Sequence, residues 1–137
     1  MGHALQEMWR VLKSEGHLID LRPLVGDSFI EVVNKEGVHF VGLVDETRDQ
    51  PDTLAANAAL AQAVRDGWFA PERKENFRFA TYWDSVADLH AHATERWTYS
   101  RLPEVVMAAA ERLMVESEAG VKIRIRYDML MARYRKI

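Results

Sequence analysis

The order of apolar and polar positions divides the chain into helical and extended stretches. Leu5, Met8, Trp9 and Leu12 recur at helical spacing and predict a first helix with one apolar stripe. Gly16 follows its end, where a left-handed residue is easiest to place. Residues 17–21 then read as a short strand. Leu18, Ile19 and Leu21 put apolar groups on both faces, the pattern of a strand covered on both sides. Pro23 lacks a backbone donor and marks its end. Residues 28–34 and 38–46 alternate as a β-hairpin, joined by Asn34-Lys35-Glu36-Gly37, in which Gly37 is free to take positive φ.

A polar loop containing Pro51 leads to a second helix, capped by Asp52 or Thr53. Its expected stripe is Leu54, Ala58, Ala61, Val64 and Trp68, and Gly67 and Pro71 close it. Residues 76–83 form the next strand, with Phe77, Phe79, Thr81 and Trp83 on one face and Arg78, Ala80 and Tyr82 on the other. Asp84 or Ser85 starts a third helix, with Asp88 three residues after Ser85 in a capping-box-like position, and Val86, Leu89, Ala93 and Trp97 make its stripe. Ser100 and Pro103 open a fourth helix, with Leu102, Val105, Val106, Ala109 and Leu113 as buried candidates, and Gly120 ends it. Residues 121–135 close the chain as a long strand. Val121, Ile123, Ile125, Tyr127, Met129 and Met131 line one face. Lys122, Arg124 and Arg126 line the other, which turns apolar at Leu130 and Ala132.

This order predicts an α/β (α+β-like) architecture: a mixed sheet of about five strands, an antiparallel C-terminal strand and helices packed on it. No linker, repeat or low-complexity tract interrupts it, and 137 residues suit a single domain over 1–137. A composition 48% hydrophobic and 28% charged is that of an ordinary soluble protein. A net charge of −3 exerts no global pull on nucleic acid or anionic membranes, so neither is expected as a partner. The absence of cysteine removes disulfides, thiol nucleophiles and thiolate metal sites. No apolar run approaches the ~18 residues of a membrane span, and no signal-peptide pattern is visible. A cytoplasmic location is expected.

Glu7, Arg10, Val11, Leu12 and Lys13, with Gly16 after them, spell a recognisable pattern. The segment 4–23 resembles a late segment of class I S-adenosylmethionine-dependent methyltransferases. There, a helix with an E-x-x-R-V-L-K signature runs through a P-G-G turn into the fifth strand. Ser14-Glu15 stand where the family has Pro-Gly. The resemblance implies the second half of a Rossmann-like methyltransferase fold, with residues 28–46 as an inserted hairpin. The family's cofactor fingerprint is a glycine-rich turn after the first strand and an acid ending the second. The seven glycines here, at 2, 16, 26, 37, 42, 67 and 120, contain no G-x-G. The N-terminal cofactor-binding half is therefore expected to be absent, and no cofactor is expected for this chain alone. S-adenosylmethionine enters only if a partner chain completes the fold.

Without its usual neighbour, strand 17–21 would expose an apolar edge, which a homodimer or a separate chain supplying the missing half would cover. The reading is a truncated methyltransferase-like domain, not catalytic alone, acting as an oligomerising or partner-binding module. Enzymatic activity stays open. The alternatives are the substrate-side subunit of a split methyltransferase and an unrelated α+β domain binding a small ligand.

The candidate substrate-side residues are Asp20, Arg22, Tyr82 and Trp83. Asp20 and Arg22 end a strand where open α/β sheets place ligands; otherwise they form an ion pair terminating it. Tyr82 and Trp83, followed by Asp84 and Ser85, could line a pocket for a flat ligand, or be a core tryptophan beside a helix cap. His90 and His92 point about 200° apart on a helix, so no shared metal is expected. His17 and His39 read as half-buried packing residues. Lys122, Arg124 and Arg126 are expected to pair with helix acids such as Glu111, Glu116 and Glu118, or to be solvated. No G-x-S-x-G elbow or triad order marks a nucleophile.

Overall fold

A computed structural model describes residues 2–137; Met1 lies outside them. The described elements are α1 (Gly2–Val11), β1 (His17–Pro23), β2 (Phe29–Asn34), β3 (Gly37–Leu43), α2 (Gln50–Arg65), β4 (Phe69–Trp83), α3 (Val86–Arg96), α4 (Glu104–Glu116) and β5 (Lys122–Lys136). The fold is α+β, with a five-stranded antiparallel open sheet and four helices among the described residues. A mixed sheet was expected. The difference arises because β5 is antiparallel to both β1 and β2, and the hairpin partner β3 is antiparallel to β2. β4 also pairs with β5.

The chain clusters into two compact units. The first comprises the chain to Val25, Gln50–Phe77 and Asp128–Ile137; the second comprises Gly26–Asp49 and Arg78–Tyr127.

In the first unit, β1 pairs antiparallel with β5 from His17↔Arg135 to Pro23↔Met129. The turn into β1 uses Glu15, not Gly16, as its left-handed residue, with φ 62°. Gly16 is required for closeness instead: a Cβ there would lie 2.8 Å from the Lys13 carbonyl oxygen. Leu5, Leu60, Ala63 and Phe69 form the buried cluster, flanked by Trp9, Leu12, Leu18 and Tyr134. The buried stripe of α2 is Ala56, Leu60 and Ala63, rotated from the expected one, and Leu54 and Ala61 are exposed. Burial along β1 alternates strictly. Ile19 and Leu21 are 54% and 57% exposed, so the strand is covered on one face where two were expected. β4 begins seven positions earlier than its pattern implied and runs through Pro71. Proline is tolerated where its missing donor faces an unpaired edge.

In the second unit, β2 pairs with β5 in unbroken register and with β3 in a register that shifts between Ile30 and Glu31. Gly37 takes φ 134° in the hairpin turn. Ile30, Val32, Val44, Leu89, Met107, Ala110, Ile123 and Ile125 form the core. Ser85 caps α3 by accepting from the Asp88 N–H at 3.0 Å. On α4 the buried residues are Met107 and Ala110, while Val105 is 82% exposed. α4 approaches β3 so closely that a Cβ on Gly42 would meet Val106 Cγ2 at 2.5 Å.

Candidate functional site

In an extended strand, residues two apart share a face. Asp20 and Arg22 therefore stand together on the half-buried face of β1. Arg22 Nε donates to both Asp20 carboxylate oxygens, at 2.8 and 2.9 Å, and its Nη1 donates to the Thr53 carbonyl at 3.2 Å. The side chains are only 12% and 16% exposed for Asp20 and Arg22 respectively. The guanidinium is thus held by a carboxylate and by the first turn of α2, and its orientation is fixed.

Arg22 lines an open cavity of about 670 Å³ in the first unit. Thr53, Asn57, Lys74 and Tyr134 supply its other polar groups, and Leu60, Val64 and Leu130 are among the apolar ones. Lys74 forms no ion pair with any described residue. Burial pushes the Tyr134 phenol up, the Asp20 charge adds to this, and Arg22 partly offsets it. Tyr134 is a neutral donor at physiological pH, as tyrosines ordinarily are. Asp20 already has both oxygens on Arg22, so the cavity presents an excess of positive charge beside an apolar wall. Such a site can hold an anion, with the apolar part of the ligand against the helix.

Tyr82 and Trp83 lie in the second unit. As neighbours on a strand they point to opposite faces and do not form one pocket wall. Trp83 packs beside the core, with its ring 5.2 Å from that of His92, and His92 in turn meets Trp97 edge-on at 6.5 Å. Tyr82 is exposed and accepts from Arg124 Nη1 at 2.9 Å. The expected partners of the basic stripe are not the helix acids. Lys122 pairs with Asp84, while Arg124 and Arg126 both grip Glu31, and Glu118 pairs with Lys35. Glu31 wins because cross-strand pairing sets it opposite Arg124 on β5. His17 stands in an exposed position 3.2 Å from Glu72, and His39 lies 3.0 Å from the Asn34 side chain. No group of three or more metal-ligating residues occurs among the described residues.

Sequence reading found Asp20 and Arg22 and missed Lys74 and Tyr134. Lys74 sits in a polar run without alternation. Tyr134 continues the face begun by Leu130 and Ala132, and following that apolar face two residues further would have found it. Comparison with known proteins returns no matching family model, curated protein or solved structure.

Proposed function

We propose that this chain is a methyltransferase-like module, not catalytic alone, whose function is to bind a partner through the free edge of β1, and that the partner is a second copy. The observation that carries this reading is the phase of the β1–β5 ladder. Leu24 N–H donates to the Asp128 carbonyl and Lys136 N–H to the Gly16 carbonyl, each at one end of the same register. Even-numbered residues of β1 therefore face β5, and the backbone groups of His17, Ile19 and Leu21 point away from it. Among the described residues β1 pairs with β5 alone. An unpaired edge flanked by exposed Ile19 and Leu21 is a template for a further strand.

A second copy fits this edge. Pairing Ile19 with its symmetry mate sets His17 against Leu21 of the other strand, so that every outward N–H meets a carbonyl. Pro23, which has no N–H to give, falls outside the ladder. Support for the family part of the reading comes from the Glu7-to-Gly16 signature and from the antiparallel last strand. Light scattering tests the assembly. A dimer at micromolar concentration that becomes monomeric in an Ile19→Lys, Leu21→Lys double variant is the expected result; a monodisperse wild-type monomer sinks it. Calorimetry is expected to show no binding of S-adenosylmethionine by the chain alone.

A second reading, the substrate-side subunit of a split methyltransferase, draws on the position of Arg22 at the end of β1 and beside the cavity. Binding of the cofactor only after a second polypeptide is added would favour it.

A further inference from the structure

We infer that the cavity of the first unit is a binding site for a small carboxylate with an aliphatic tail. Its size lies within the range of about 300–1,000 Å³ that small-molecule sites occupy, and its lining divides by chemistry. Arg22, Lys74 and Tyr134 provide donors; Leu60, Val64 and Leu130 provide an apolar surface.

Each donor has capacity to spare. Asp20 and the Thr53 carbonyl engage Arg22 through Nε and Nη1, and no described residue accepts from Nη2. The Lys74 ammonium and the Tyr134 hydroxyl likewise have no hydrogen-bond partner among the described residues. The Tyr134 phenol is protonated at neutral pH as an ordinary tyrosine is, and burial and Asp20, partly offset by Arg22, push it further up. A neutral phenol donates to a carboxylate where a phenolate would repel it. Two cations and a neutral donor against a single, already engaged carboxylate select an anion. The leucine and valine wall selects a ligand with a hydrocarbon body over inorganic phosphate, which has none. Arg22 acts as the orienting group because Asp20 fixes its plane, so the ligand meets a preorganised donor.

Hexanoate, hexanol and inorganic phosphate are the probes, titrated into the ¹⁵N-labelled full chain and followed by amide chemical shifts. Hexanoate is expected to saturate at millimolar concentration or below, shifting the amides of Thr53, Asn57, Lys74 and Tyr134. Hexanol and phosphate are each expected to bind at least about tenfold more weakly, a difference of roughly 1.4 kcal/mol. Lys74→Met and Tyr134→Phe, which remove groups without partners in the fold, are each expected to weaken hexanoate by about threefold to tenfold while leaving the spectrum of the free protein otherwise intact. Hexanol binding as tightly as hexanoate overturns the anion assignment. Phosphate binding as tightly overturns the apolar part. Hexanoate binding unaffected by both substitutions, or no saturable shift, overturns the site. These outcomes do not depend on whether β1 pairs with a second copy, so the two proposals fail separately.

Discussion

Arg124 Nη2 donates to Glu31 Oε2 at 2.7 Å, on a strand where the glutamate is only 4% exposed. Arg126 Nε takes the other oxygen at 2.6 Å, and its guanidinium lies over the Phe29 ring at 4.1 Å from the centroid. One carboxylate thus ties two arginines of β5 to β2, beside a Phe29–Phe40 edge contact. Removing one member of a buried ionic cluster leaves the others uncompensated, which costs more than the cluster contributes as a whole. Glu31→Gln is expected to lower stability by about 3 kcal/mol, read from urea unfolding.

The same cluster sets an acid limb. Burial alone would raise the Glu31 carboxyl, but the hydrogen bonds and charges of Arg124 and Arg126 outweigh it and hold the group below its usual value. Folding therefore favours the ionised form. The resulting stability is present above the unfolded carboxylate pKa and is lost as pH falls through the lower folded value. A Glu31→Gln variant should show a shallower decline of melting temperature below pH ~5 than wild type. Parallel acid limbs in the two proteins would contradict this.

Some features set by neighbours in sequence were legible, although the left-handed turn before β1 falls on Glu15 and not on Gly16; those set by distant pairing were not. The Ser85–Asp88 cap and the Gly37 turn depend on a few adjacent residues, and both formed as their sequence implied. The stripe of α2 was misplaced because alanines stand on several of its faces and discriminate poorly between inside and outside. The start of β4 was invisible because residues 71–76, Pro-Glu-Arg-Lys-Glu-Asn, are exposed in the fold and carry no apolar alternation. Glu31 could not be matched to Arg124 without the β2–β5 register, which joins positions 93 apart. In the cavity, the i,i+2 pair Asp20 and Arg22 was readable, whereas Lys74 and Tyr134 reach it only through the fold.

Gly42 is small for steric reasons. It has no positive φ to accommodate; a Cβ would instead lie 2.5 and 2.7 Å from the two Val106 methyls. Overpacking of this kind typically costs about 1–3 kcal/mol. Gly42→Ala should therefore destabilise the protein by that amount, and Val106→Ala in the same chain should recover a large part of it. The measurement is a double-mutant cycle. Additive losses would show that β3 and α4 do not press on each other at this point.

Glu46 behaves oppositely to Glu31. Burial pushes its carboxyl up; hydrogen bonds from the Ser28 N–H and hydroxyl pull it down, and the charges of Asp27 and Asp49 push it up again, with a raised value as the outcome. Folding favours the protonated form. Its contribution is present below the unfolded carboxylate pKa and is lost as pH rises through the higher folded value. Glu46→Gln keeps an acceptor for Ser28 and removes the charge. It is expected to match or exceed wild-type stability at pH ~7, with the difference shrinking toward pH ~4. A variant less stable at neutral pH would show that the Ser28 bonds need the full charge.

Tyr127 links that carboxylate to the alkaline side. Burial raises its phenol to about 12, and the negative charge of Glu46 adds to the shift. Because the folded pKa lies above the unfolded one, the stability Tyr127 contributes is intact below pH ~10 and is lost as pH rises through the folded value. The phenolate absorbance of wild type minus that of Tyr127→Phe should accordingly titrate near 12. Burial is the larger cause, so Glu46→Gln is expected to move that midpoint down only part of the way toward the ordinary tyrosine value. A return to the ordinary value in Glu46→Gln would make the carboxylate the dominant influence, whereas a midpoint unmoved by the substitution would separate the two groups altogether.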